Sequence, residues 1–225
     1  MPRVHALVAV KELTRAKSRL GGEFPAALRG ELVLAMLRDT VTTALAVPDV
    51  ASVTVVSPDP DVLAAARASG AATLLEPPSR RRLNDALRHA AEHVRERCAA
   101  VDLVALQADL PAMSVDELTD ALAGAQGYRR SIVADHRGSG TCALVVRGSA
   151  LDSPALAPPA LDPAFGPDSA RAHIRSGAVS LPGAWPGLRR DVDTRADLAA
   201  AVELGVGSHT RAALTHIGWP HPCPH

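Results

Sequence analysis

Three aspartates and a run of cations carry most of the chemistry this 225-residue sequence could perform. Asp109 stands in Gln107-Ala108-Asp109-Leu110-Pro111, and Asp191 and Asp193 flank Val192, so the latter two share a face wherever that segment is extended. Carboxylate oxygens suit magnesium, which keeps several waters and binds through one or two carboxylates plus substrate phosphates. Lys11, Arg15, Lys17 and Arg19 place four cations within nine residues. Such a run is either a solvated loop or a clamp in which ammonium and guanidinium groups neutralise phosphate oxygens. Gly138-Ser139-Gly140-Thr141 and Gly166-Pro167-Asp168-Ser169 are small-residue turns whose backbone amides could cradle an anion. The second turn opens onto a helix, with Asp168 expected to face away as its cap.

Several familiar sites are excluded. A P-loop needs a glycine six residues before its Lys-Ser pair, where Lys17-Ser18 has Lys11. The glycine fingerprint of a dinucleotide site should follow the first strand, but Gly138-Ser139-Gly140 lies far downstream and has Ala143 at the third glycine position. His89 and His93 are four apart on a helix without a further ligand, which reads as a solvated face. No Ser-His-Asp or Cys-His set can be assembled from spacing. Lys and Arg number 24 and so do Asp and Glu, so there is no basic surplus to hold a duplex or an anionic membrane. Aromatics at 2% leave little on which to stack bases. Cys98, Cys142 and Cys223 are odd in number and widely spaced, and no secretory or membrane-spanning run is present, so a cytoplasmic protein is expected.

The elements that must position these groups follow from hydrophobic spacing. Hydrophobic residues at 47% against 21% charged permit a buried core. Val4 to Val10 reads as a first strand, followed by a helix from Pro25 to Ala46, a strand from Val53 to Val56, and a helix to Ser69 capped by Asp59-Pro60. Ala72 to Leu75, a helix from about Leu83 to Cys98, and a strand from Asp102 to Leu106 continue the alternation. A capping box of Ser114 and Glu117 then starts a helix to about Ala123. Strands and helices alternating with short linkers predict a doubly wound parallel sheet covered on both faces. Ser131 to Ala134 and Cys142 to Val146 are too close for a crossover helix, so they pair antiparallel and the sheet is mixed. Residues 151–168 hold five prolines and no periodicity, a long loop of the kind that is functional or disordered. A helix to about Gly177, a short strand from Val179 to Leu181, and a helix from the Thr194–Asp197 box to Leu204 complete a single domain, 1–217, with residues 218–225 as a disordered tail. Ligands of such sheets sit beyond the carboxyl ends of the strands where strand order reverses, which is where Asp109 and the cation run fall. That location favours the phosphate clamp and the metal reading over isolated turns.

Taken together, Val10-Lys11, Ala16-Lys17-Ser18-Arg19-Leu20, Leu83-Asn84-Asp85-Ala86-Leu87, the Asp109 motif, the two small-residue turns and Arg189-Arg190-Asp191-Val192-Asp193-Thr194 resemble a known family. It is that of the guanylyltransferases that activate phosphoenolpyruvate or 2-phospho-L-lactate in biosynthesis of the deazaflavin coenzyme F420. The resemblance covers nearly the whole chain and is to the bacterial branch. It departs where Arg82 precedes Leu83, a position usually held by glycine, and in a longer proline-rich loop before Phe165. It implies the nucleotidyltransferase, nucleotide-diphospho-sugar transferase-like version of the α/β fold. It also implies condensation of phosphoenolpyruvate with GTP, giving enolpyruvoyl-2-diphospho-5'-guanosine and pyrophosphate. By position it implies Mg2+ on Asp109, Asp191 and Asp193, the acid on Thr141, Gly166 and Ser169 largely through the backbone, and guanine near Leu83 and Asn84. Lys11, Lys17 and Arg19 would stabilise the transferring phosphates. A downstream transferase that consumes the unstable product is the implied partner. The alternatives are the same chemistry on 2-phospho-L-lactate or another phospho-acid, and a nucleotide-binding module without catalysis.

Overall fold

The computed structural model describes residues 4–13, 25–77, 82–98, 101–148 and 160–219. Strand β1 (Val4–Ala9) lies inside a seven-stranded sheet, parallel to β2 (Val50–Ser57) on one side and to β4 (Asp102–Leu106) on the other. β3 (Ala72–Leu75) extends the sheet beyond β2 in parallel. On the far side β6 (Thr141–Val146) runs antiparallel to both β4 and β5 (Arg130–Ala134), and β7 (Val179–Ser180) adds a parallel edge to β5. The order β3-β2-β1-β4-β6-β5-β7 is the mixed, mostly parallel sheet expected from the sequence, and it reverses direction of winding between β1 and β4.

Both faces are covered, which is why the β1 segment is apolar without alternation. Ala6 and Val8 face a layer formed by α1 (Ala26–Ala46), α2 (Pro60–Ala68) and α4 (Val115–Gly124), whose Leu37, Val41, Val62, Ala66, Leu118 and Ala121 meet them. Leu7 and Ala9 point the other way, onto α3 (Leu83–Arg97) and α5 (Ser169–Arg175) through Ala86, Leu87, Ala90, Val94, Phe165 and Ala170. The residues one apart on a strand thus belong to different cores.

α1 is long enough to serve two partners. Its Leu32, Val33 and Met36 form a third cluster with α6 (Arg195–Leu204) and α7 (Ser208–His216), through Leu198, Ala201 and Leu214. Trp219, beyond the boundary expected at 217, is buried in the same cluster with the Arg195 guanidinium 4.8 Å from its ring centroid, so the packed domain reaches at least this far. The sequence reading contains no counterpart of α7. Its N-terminus is capped by a residue 170 positions away: His209 and Thr210 N–H groups donate to the two carboxylate oxygens of Asp39 on α1, at 3.0 and 2.8 Å. Gly207 makes that approach possible, because a Cβ there would lie 2.3 Å from Asp39 Cγ. Strand β2 is also longer than expected, since Val50 already pairs with Val4. Among the described residues, no helix is long and apolar enough to cross a membrane.

Candidate active site

The segment leaving β4 is held from three sides. Gln107 N–H donates to the Cys142 carbonyl of β6 at 3.0 Å. From α1, the Thr40 hydroxyl donates to Met36 O and accepts the Leu110 N–H at 3.1 Å, in a buried position. Val192 N–H donates to the Asp109 carbonyl at 3.1 Å, which sets the Asp191–Asp193 backbone directly beside Asp109. Asp109 itself is buried.

Asp191 is delivered by a strap, residues 182–190, whose anchors come from distant parts of the chain. The Arg189 guanidinium donates to three carbonyls, those of Ala134 (2.9 Å), Leu181 (2.9 Å) and Gly183 (3.1 Å), and the Arg189 carbonyl accepts His136 N–H at 2.8 Å. Glu117 completes its capping box with Ser114 and also accepts the Gly187 and Leu188 N–H groups at 2.8 and 3.1 Å. Trp185 Nε1–H donates to Asp120. Charge-assisted bonds of this kind are stronger than neutral ones, so the strap is fixed rather than a loose loop.

Asp191 and Asp193 just after the strap, the β5–β6 turn and the start of α5 enclose an open cleft of about 340 Å³ at the carboxyl end of β4. Of the residues expected from the sequence, it brings together Thr141, Gly166, Ser169, Asp191 and Asp193. Asp109 lies next to it through the Val192 bond. Lys11 is elsewhere, at the end of β1, paired with the buried Glu76 that follows β3. Arg15, Lys17 and Arg19 lie outside the described residues, as does the tail from residue 220. Among the described residues no three His, Cys, Asp or Glu side chains converge into a ready-made metal cage. Burial, and then the charges of Asp191, Asp109 and Asp135, push the Cys142 thiol well above its usual pKa, so it stays protonated at 3.9 Å from Asp191 Oδ1.

The cleft also contains acids that the sequence reading did not single out. Asp135, immediately after β5, accepts Ser139 N–H at 2.9 Å, and its own N–H donates to Gly140 O. Gly140 is required there, since a Cβ would stand 2.6 Å from Asp135 Oδ2. Asp197, counted from sequence only as the third residue of a helix cap, also reaches Arg137 at 3.1 Å and lines the cleft. A carboxylate directly past a strand end, followed by a glycine-containing turn, was the available signal for Asp135.

The second small-residue turn differs from expectation in its details. Asp168 is at the N-cap position of α5 but in a left-handed conformation, φ 53°, and makes no side-chain capping bond. The Ser169 N–H, expected to face the acid, closes the turn onto Gly166 O at 3.2 Å, and Ala170 N–H donates to Ser139 O, joining the two turns. A glycine two residues before Asp168, φ 139°, bends the chain so sharply that local capping geometry is lost. Asn84, expected near a base, uses both ends of its amide on Phe165: its Nδ2–H donates to the Phe165 carbonyl (3.0 Å) and its Oδ1 accepts the Phe165 N–H (2.9 Å). It is therefore a clasp between α3 and the turn.

His173 of α5 is completely buried behind this turn. Its Nε2 accepts Ala164 N–H at 2.8 Å and its Nδ1 lies 3.0 Å from Thr141 Oγ1. Burial first, and then Arg130, lower its pKa from 6.5 to about 4, against the opposing pull of Asp162 and the Ser169 carbonyl. The unfolded chain would bind this proton near pH 6.5, so between pH 6.5 and 4 it holds a proton that the folded chain lacks. The stability due to the neutral ring is therefore full above pH 6.5 and is lost as pH falls towards 4. Thermal melts across this window should show the wild-type Tm dropping more steeply with acid than that of His173→Gln; parallel curves would refute the buried neutral imidazole.

A doubly wound sheet of this order, with an acidic cleft and polar turns at the carboxyl ends of its strands, defines a nucleotidyltransferase-type protein. Solved structures agree on the fold. One is a candidate nucleotide-diphospho-sugar transferase from Desulfovibrio desulfuricans G20, with TM-score 0.71 and 19% identity over 97% of this chain and 96% of that one. Another is a nucleotidyl transferase from Methanothermobacter thermautotrophicus, with TM-score 0.55 and 17% identity over 90% and 97%. Residues 4–153 match the family "Guanylyl transferase CofC like". The phosphoenolpyruvate guanylyltransferase of Nocardia farcinica is 57% identical over 218 residues, 96% of this chain and 92% of its own. That of Rhodococcus erythropolis is 49% identical, with 95% and 96% covered. The chain belongs to the CofC-like guanylyl transferase family.

Proposed function

We propose that the chain transfers the guanylyl group of GTP to phosphoenolpyruvate, forming enolpyruvoyl-2-diphospho-5'-guanosine and releasing pyrophosphate, as a single-domain cytoplasmic enzyme of coenzyme F420 biosynthesis. The observation that carries this reading is the cleft in which Asp191 and Asp193 face Thr141 and the Gly166–Ser169 turn, in a chain half identical to named phosphoenolpyruvate guanylyltransferases.

A phosphate oxygen of the acid attacks the α-phosphorus of GTP as the bond to the β-phosphate oxygen breaks, so the pyrophosphate departs with that electron pair. The attacking phosphate is already an anion, and no side chain has to remove a proton. The protein has to align the two phosphates and neutralise charge. Asp109, Asp191 and Asp193 offer the hard oxygen donors that suit a divalent cation, best magnesium, and Val192, between the latter two, donates its N–H to the Asp109 carbonyl. When bound, that cation supplies charge neutralisation to phosphate oxygens. Thr141, Gly166 and Ser169 line the acid's side of the cleft. Lys11, with Lys17 and Arg19, would counter the charge of the triphosphate. Leu83 would lie near the guanine, with Asn84 holding the turn rather than reading the base. The product feeds a transferase that consumes it.

The test is pyrophosphate release from GTP against phosphoenolpyruvate, 2-phospho-L-lactate and other phospho-acids, with magnesium and the product-consuming transferase present. Phosphoenolpyruvate is expected to give the highest kcat/KM, and GTP to be preferred over ATP. Faster turnover of phospholactate, or equal kcat/KM for the two nucleotides, would overturn the corresponding assignment. Binding of GTP with no pyrophosphate release from any acid would favour a non-catalytic module.

A further inference from the structure

The buried His173 has no role in the chemistry above, yet it touches two separate elements of the acceptor side. Ala164 belongs to the segment that enters the Gly166–Ser169 turn, and Thr141 opens β6. Because Ala164 N–H donates to Nε2, that nitrogen carries no hydrogen, and the neutral ring must hold its hydrogen on Nδ1. The ring cannot turn to escape this. Phe165 stands edge-on to it at 5.3 Å and 75°, and Phe165 is itself held at both backbone groups by Asn84.

Nδ1–H then faces Thr141 Oγ1 at 3.0 Å, so the hydroxyl must present a lone pair there. The Ser169 carbonyl also faces the ring and favours a hydrogen on it. With Oγ1 accepting from the ring, the hydroxyl's own hydrogen is left for a group in the cleft, which Thr141 lines. We propose that His173 is a positioning residue that fixes Thr141 as a hydrogen-bond donor to the acceptor acid. The backbone N–H of Ala164 sets the imidazole tautomer, and the tautomer sets the direction of the hydroxyl. This inference rests on the assignment of Thr141 to the acceptor acid. An acceptor rich in carboxylate and phosphate oxygens offers only lone pairs, so a hydroxyl turned the other way would meet it with repulsion.

His173→Gln tests this, because an amide oxygen can still accept Ala164 N–H, while the Nδ1–H that the rigid ring holds on Thr141 is removed and the amide N–H that remains hangs on a flexible chain that no longer fixes the hydroxyl. A lost hydrogen bond to a charged group corresponds to roughly a tenfold to hundredfold change in binding. His173→Gln should therefore raise KM for phosphoenolpyruvate about tenfold or more, leaving KM for GTP within about twofold. Thr141→Val should show the same pattern, and adding His173→Gln to Thr141→Val should change nothing further. A His173→Gln enzyme with normal KM for the acid, an equal rise for GTP, or additive effects in the double variant would overturn the proposal while leaving Thr141 in the acceptor site. If Thr141→Val leaves KM for the acid unchanged, the acceptor assignment falls and the proposal falls with it. A measurement on wild-type protein does not depend on either variant folding. The imidazole 15N resonances of the buried ring, with no ligand added, should show Nδ1 protonated and Nε2 bare. The opposite tautomer would overturn the proposal.

Discussion

Replacing Asp193 by alanine should lower kcat/KM for pyrophosphate release by about a thousandfold, the equivalent of roughly 4 kcal/mol of transition-state stabilisation. Asp191→Ala and Asp109→Asn should do the same. The loss is expected because, on the proposed assignment, these carboxylates hold the divalent cation that neutralises charge on the transferring phosphate. The fold should survive. Asp191 and Asp193 lie at the cleft surface rather than in any apolar cluster, and Asn at 109 preserves the buried volume. Two measurements check this: pyrophosphate release at saturating magnesium, and the thermal midpoint. Activity within tenfold of wild type for Asp193→Ala, with the midpoint unchanged, would remove the metal assignment.

Gly187→Ala should be a strongly damaging small substitution in the strap. A Cβ there would lie 2.1 Å from the Ala112 carbonyl oxygen and 2.7 Å from Glu117 Oε2. Neither can yield cheaply, since one is backbone and the other accepts the Ser114 and Leu188 N–H groups while its partner oxygen accepts that of Gly187. Overpacking typically costs about 1 to 3 kcal/mol, and loosening the charged bonds of Glu117 adds about 1.5 to 3 kcal/mol for each bond lost. A destabilisation of about 3 kcal/mol or more follows, read as a fall in the urea midpoint at unchanged slope. Activity should fall with it, because Gly187 lies only four residues before Asp191. Gly124→Ala is the control: it sits at the end of α4 with nothing within 4 Å of its added Cβ, and should be neutral to slightly stabilising. Equal midpoints for the two variants would show that the strap is not tightly packed.

Much of the architecture was legible in the chain. The capping boxes at Ser114–Glu117 and Thr194–Asp197 and the Asp59-Pro60 helix start are all present, because each is closed by residues two or three apart. The apolar runs of β1 and β4 announced buried parallel strands, and the short spacing between β5 and β6 required their antiparallel pairing. The motif order carried the family as well, since the order of motifs along a chain is legible whatever their spatial arrangement.

Most of what the chain concealed comes from pairing over large separations. Nothing near residue 207 announces α7, whose cap is Asp39 on α1. Asn84 at a helix start looks able to read a base until Phe165, 81 residues later, occupies both ends of its amide. Asp168 has the residue type of a cap, but the bend at Gly166 turns it left-handed and removes the bond. Asp135 and Asp197 join the cleft because the end of β5 and the start of α6 both border it, and Arg189 matters because the Ala134 carbonyl, 55 residues earlier, joins those of Leu181 and Gly183 on its guanidinium. The sequence by itself determined most of the elements and which face of each is apolar, since these depend on neighbours within a turn or a pleat. Only the tertiary structure decided which polar groups are consumed in holding the strap and turns, and which remain to face a ligand. Each polar group has only a few donor hydrogens and lone pairs, and the partners that claim them are chosen by the packing of the whole sheet.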